Sequence, residues 1–138
     1  MTSNEMEAFK NRLKNYLFHQ DMVEKLTDEI SNIHYEMVGV KGINYDYRVS
    51  STNEEIKKDH QRKLMEKADV LAKERESHSN ELYQLNKMLV QIKLDDRLLV
   101  MDKYVFKKTY EELSKKHSMV ISAIKYRIDK AILEVDYI

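Results

Sequence analysis

At 138 residues the chain has room for one ordinary domain. It has no Cys, no Pro and two Gly, which excludes disulfides, thiolate zinc sites and cysteine nucleophiles and makes long helices the simplest fold. Its net charge is zero, with 35% charged and 42% hydrophobic residues, which excludes both a compositionally disordered chain and a protein that is basic all over. No apolar run approaches a membrane span, and "MTSNEMEAFKNRLKNY" has no signal-peptide core, so a soluble, cytoplasmic protein without membrane contact is expected.

The first predicted helix runs from about Asn4 to Val38. Ser3 or Asn4 is its expected cap, with Glu5 and Glu7 placed favourably for the helix dipole. Phe9, Leu13, Tyr16, Leu17, Val23, Leu26, Ile30, Ile33 and Met37 form a stripe at steps of three and four. Phe9, Tyr16, Val23, Ile30 and Met37 are seven apart, which gives the stripe heptad character. His34, at its edge, is read as a core or interface residue. Gly39 is the expected C-cap, and Gly42 allows a second unusual backbone angle. Between Val40 and Thr52 the helical period is lost. "INYDYRVSS" is read as a connecting loop whose Tyr45 and Tyr47 pack back, or as a short extended piece.

A second long helix is predicted from about Asn53 to Lys93, opened by a Thr52–Glu55 capping box. Ile56, Leu64, Ala68, Leu71, Leu82, Leu85, Leu89 and Ile92 mark its inner face. The polar stretch 73–80 is either an exposed turn of helix or a break. The two stripes are expected to pack as an antiparallel hairpin or a coiled-coil dimer. Residues 1–94 are therefore read as an assembly region with a linker at about 39–53.

Residues 95–132 read as three helices with two tight connections. Thr109 is a plausible N-cap, and Glu112 completes the Ser/Thr-x-x-Glu pattern. After Lys116, His117 and Ser118, the positions Met119, Ala123, Ile124, Arg127, Ile128 and Ala131 mark a second short helix. Two helices joined by a turn of a few residues match the spacing of a helix-turn-helix. Leu98, Leu99, Met101, Val105, Leu113, Ile124 and Ile128 are the expected core. From Lys103 to Lys130 there are eight basic residues against three acidic, a local excess of five positive charges on a chain that is neutral overall. A basic end on a mildly acidic body suits a nucleic-acid-binding tail.

The pattern R-L-L-x-M-x-K-Y-V, K-T-Y-E-E-L-S, S-A-I and R-I-D-K-A-I, from Arg97 to Ile132, resembles the promoter-binding region of sigma factors. It is more similar to the sigma-region-4-like tail of small phage transcriptional regulators of the ArpU/RinA type. "VKGINYDYRVSS" is similar to a segment joining the helices of several such proteins. The resemblance implies transcriptional regulation. Ser118 stands where these turns usually carry Gly, and Ile121, Ser122 and Ala123 stand where Arg or Gln often face bases.

Other chemistries have little support in the sequence. The five His are scattered, no Glu-x-x-His or His-Glu-x-x-His occurs, and no phosphate loop, dinucleotide fingerprint or nucleophile elbow is present. No catalytic residue, metal or cofactor is expected, and the chain is read as a non-enzyme. The expected fold is all-α: a long helical hairpin or coiled coil over 1–94, then a small helix-turn-helix domain over 95–138. The expected partner is double-stranded DNA. Ile121, Ser122, Lys125 and Tyr126 would face bases, and Lys107, Lys108, Lys115, Lys116, Arg127 and Lys130 would contact phosphates. The N-terminal helices would form a homo-oligomer, most simply a dimer. The alternative is a coiled-coil adaptor that binds a protein such as RNA polymerase without reading DNA.

Overall fold

The computed structural model describes residues 1–42 and 51–138, with side chains over 1–38 and 54–138. The chain is all-α; among the described residues there is no strand. The helices are α1 (Ser3–Lys14), α2 (Tyr16–Gly42), α3 (Ser51–Leu89), α4 (Leu94–Val100), α5 (Tyr110–His117) and α6 (Ile121–Leu133). A π-helical turn, Met101–Val105, continues α4 directly.

The N-cap of α1 is Thr2, not Ser3 or Asn4. Thr2 Oγ1 accepts from the Glu5 N–H at 3.1 Å, and the Thr2 N–H donates to Glu5 Oε1 at 2.9 Å, a complete capping box. The single helix expected from Asn4 to Val38 is two helices. They meet at Asn15, whose backbone sits at φ −97° and ψ 5°. Asn15 Nδ2 donates to the Asn11 carbonyl at 3.3 Å, one of the local side-chain bonds through which Asn competes with helix continuation. Gly39 does not stop α2, which continues to Gly42, and no described Gly has positive φ. α3 is unbroken through residues 73–80, so that polar stretch is exposed helix. The loop carrying Tyr45 and Tyr47, and the Thr52 side chain of the expected capping box, lie outside the described residues.

The described chain divides into two compact units, residues 21–79 and residues 1–20 with 80–138. The first is an antiparallel pairing of α2 with α3. Ile33 is buried with Leu64 and Ala68, and Met37 and Leu71 pack at the edge. Arg75 Nη1 donates to Thr27 Oγ1 at 3.4 Å, and His60 Nε2 lies 3.7 Å from Glu36 Oε1. This core is small. Ile56, expected on the inner face, is exposed, as are His34, Tyr35, Val38, Met65 and Val70.

The second unit holds the larger core. Phe9 and Leu13 of α1, Leu85 and Met88 of α3, and Leu99, Val105, Leu113, Ile124, Ile128 and Ile132 are buried together. The expected boundary between residues 94 and 95 falls inside this unit, because α1 and the end of α3 supply much of the apolar surface on which α4–α6 close. Leu98 is 47% exposed rather than core. Successive helical residues point about 100° apart, and Leu99 and Val100 take the inward arc of α4.

Polar ties reinforce the packing of α1. Lys10 pairs with Asp129 at 3.2 Å. Arg12 donates from Nε to Glu81 at 2.6 Å, from Nη2 to Gln84 at 2.8 Å and from Nη1 to the Ile138 carbonyl at 2.6 Å. The Tyr16 hydroxyl donates to Asn86 Oδ1 at 2.8 Å. Arg97 closes the end of α3. Its Nε donates to the Leu89 carbonyl at 3.0 Å, which also accepts from the Ile92 N–H, and its Nη2 donates to the Ile92 carbonyl at 2.9 Å.

Candidate nucleic-acid interface

Thr109 caps α5, its Oγ1 accepting from the Glu112 N–H at 3.2 Å. α5 ends at Ser118, whose backbone is left-handed, φ 53° and ψ 44°. Gly would adopt this conformation without steric cost; Ser adopts it because the turn is pinned. Ser114 Oγ donates to the Met119 carbonyl at 2.6 Å, and the Ser114 carbonyl accepts from the Met119 N–H at 3.3 Å. Ser114 is thus the residue that ties the turn.

α6 starts at Ile121 with Val120 as N-cap and no side-chain cap, so its first-turn N–H groups have no side-chain acceptor. The residues expected to face bases share an open surface. Tyr126 is 66% exposed, Ile121 36%, and Ser122 and Lys125 are also exposed; Val120 beside them is 68% exposed. Ile124, Ile128 and Ile132 hold the opposite face of α6 in the core.

The expected phosphate contacts divide into two groups. Lys107, Lys115 and Lys130 are exposed and Lys108 half-buried. Lys130 Nζ lies 5.9 Å from the Tyr126 ring centroid. Lys116 and Arg127 are engaged internally. Lys116 Nζ lies 2.8 Å from Asp102 Oδ2. Arg127 grips Asp96 Oδ1 through Nε at 2.8 Å and Nη2 at 2.5 Å, and its Nη1 reaches Met119 Sδ at 3.3 Å. Lys125 does not stand free over the open face, since its ammonium lies 4.9 Å from the Tyr110 ring centroid. Lys103 approaches the same ring at 4.0 Å.

Asp102 organises the region from below. It lies in the π turn, is 5% exposed, and receives Lys116 Nζ and His117 Nε2, the latter at 3.0 Å. Burial alone would raise its carboxyl, but the hydrogen bonds from Lys116 and His117 outweigh burial and hold it below the ordinary range. The bridge fixes the last turn of α5 to the π turn just before Ser118. Beside it, burial and the neighbouring Tyr110 push the Tyr104 phenol well up. A cleft of about 530 Å³ opens between the end of α3, α4 and α6, lined by Lys93, Asp95, Asp96, Tyr126, Arg127 and Lys130.

No family model, curated protein or solved structure matches the chain. Among the described residues no group of three or more His, Asp or Glu is placed to hold a metal ion, and no helix is long and apolar enough to cross a membrane.

Sequence reading did not single out Asp96, Asp102, Lys103, Tyr110 or His117 for this surface. A signal for Asp102 existed: it is the one acid in the run "LLVMDKYVF", and an acid inside an apolar stretch asks for a buried partner. Nothing local in the sequence marks Lys103 and Lys125, 22 positions apart, as neighbours on one ring.

Proposed function

We propose that the chain binds double-stranded DNA through α5, the turn Ser118–Val120 and α6, acting as a helix-turn-helix in a phage- or prophage-type transcriptional regulator. The observation that carries this reading is the outward face of α6. Ile121, Ser122 and Tyr126 are open to solvent at the start of an uncapped helix, with Lys130 beside Tyr126 on α6 and Lys107 and Lys115 exposed on the segments before it. Such a helix can enter the major groove, where an apolar side chain contacts a thymine methyl and a hydroxyl bonds to a base edge. The free N–H groups of its first turn suit a phosphate oxygen. The resemblance of residues 97–132 to ArpU/RinA-type regulators supports the transcriptional role.

Residues 21–79 serve self-association in this reading. Their own core is small, and Tyr35, Val38, Ile56, Met65 and Val70 remain exposed for a second copy to cover.

Binding of the full chain to random-sequence duplex DNA across a salt series, with molar mass measured in parallel, tests the proposal. Phosphate contacts through Lys107, Lys115 and Lys130 alone give a log–log slope of roughly −3, about −0.9 for each phosphate neutralised. A dimer that does not bind duplex at low salt would instead favour an adaptor for a protein such as RNA polymerase. The exposed Val120 and Tyr126, together with the internal pairing of Lys116 and Arg127, are what speak for that second reading.

A further inference from the structure

We infer that Lys103 and Lys125, gathered on the Tyr110 ring, form a phosphate-holding clamp, and that Lys125 therefore positions the chain on DNA rather than reading a base. The inference rests on the duplex-DNA reading above and assigns a role within that surface. Three elements build the clamp: Lys103 comes from the π turn, Tyr110 from the first turn of α5 and Lys125 from α6. The two ammonium groups lie 4.0 Å and 4.9 Å from one ring centroid. An aromatic face attracts cations at this range through its quadrupole, and here it gathers two like charges that would otherwise repel.

Among the described residues neither Lys103 nor Lys125 makes an ion pair. Asp129, one turn after Lys125 on α6, is held by Lys10 at 3.2 Å. Of the other cations in this region, Lys116 and Arg127 are paired with Asp102 and Asp96, whereas Lys107, Lys115 and Lys130 are exposed. The pair is thus two positive charges on one ring with no ion-pair partner among the described residues, on a surface that also presents the start of α6. A phosphate oxygen accepts hydrogen bonds from ammonium groups and relieves their mutual repulsion. Bases supply no such charge, so an anion is the ligand the pair favours. Glu111 and Glu112 stand in the first turn of α5 and disfavour an anion along that helix axis, which leaves the side of the Tyr110 ring as the approach.

The test uses the full chain and duplexes of several unrelated sequences. Salt series are run for the wild type, Lys103→Gln, Lys125→Gln, the double variant, and Lys67→Gln on α3 as a control. Each clamp substitution is expected to reduce the magnitude of the log–log slope by about 0.9, and the double variant by about twice that, equally for every sequence. Lys67→Gln leaves the slope unchanged, and the charge-keeping variants Lys103→Arg and Lys125→Arg keep it. If the wild type binds with the expected slope but the double variant keeps it, the clamp is refuted while DNA binding stands. If Lys125→Gln reorders the preference among sequences, Lys125 reads bases and the inference falls. A wild type that binds no duplex at low salt removes the DNA reading itself, a result distinct from both.

Discussion

Lys116 Nζ lies 2.8 Å from Asp102 Oδ2, so a lysine whose sequence position points to a phosphate contact braces the fold beneath the turn. Asp102 is almost wholly enclosed, and its two partners, Lys116 and His117, end α5 immediately before the left-handed Ser118. Because the folded carboxyl lies below its ordinary range, its contribution to stability is fully present above the unfolded value of about 4 and is lost as pH falls through the folded value. Denaturant titrations should show wild-type stability dropping in that acid window. Asp102→Asn should lower stability near neutral pH by about 1–3 kcal/mol and flatten the acid limb.

Ser118 carries backbone strain that a glycine would relieve. A non-glycine residue in the left-handed region costs about 1–2 kcal/mol, and the greater freedom of an unfolded Gly returns part of that gain. Ser118→Gly should therefore stabilise the protein by a net amount of about 0.5–1 kcal/mol, read as an increased denaturant midpoint with an unchanged m-value.

Arg97 donates to the Leu89 and Ile92 carbonyls at and just beyond the end of α3. Arg97→Ala should cost about 1–2 kcal/mol through the lost hydrogen bonds, since the Leu89 carbonyl keeps the Ile92 N–H. Hydrogen exchange should quicken first at the end of α3 and the start of α4. A uniform quickening across residues 21–79 would contradict this assignment.

α1 belongs to the core that supports α5 and α6. Phe9 is fully buried among residues of α3 to α6, and Phe9→Ala should cost about 3–5 kcal/mol. Its loss should lower protection of α1, α5 and α6 together. For the same reason a fragment of residues 95–138 should be unfolded by circular dichroism, since it lacks Phe9, Leu13, Leu85 and Met88. A fragment that folds and melts cooperatively would show that α4–α6 stand alone.

The parts of this structure that sequence reveals are those decided within one or two helical turns. The steps of three and four from Leu26 to Met37, the Thr109 cap and the absence of Pro foretell the helices, because amphipathic period and capping are local. Thr2 and Glu5 carry the same signature, but Ser3 and Asn4 are equally good cap types one and two residues on. Leu98 was misplaced because Leu98, Leu99 and Val100 are all apolar, and only the tertiary surroundings choose which arc turns inward. The partners of Lys116, Arg127 and Lys125 lie 14, 31 and 15 positions away, beyond any local pattern. Of the ten candidate side chains, packing leaves Ile121, Ser122, Tyr126, Lys107, Lys115 and Lys130 exposed and engages Lys116, Arg127 and Lys125 with partners within the fold.

The most direct test of the central claim is amide hydrogen exchange on the full chain with and without random-sequence duplex DNA at low salt. The account predicts slowed exchange from the start of α5 through the first turns of α6, residues 110–126, and little change over residues 21–79. Unchanged exchange over 110–126 under conditions where DNA is bound, or slowing confined to 21–79, would contradict it.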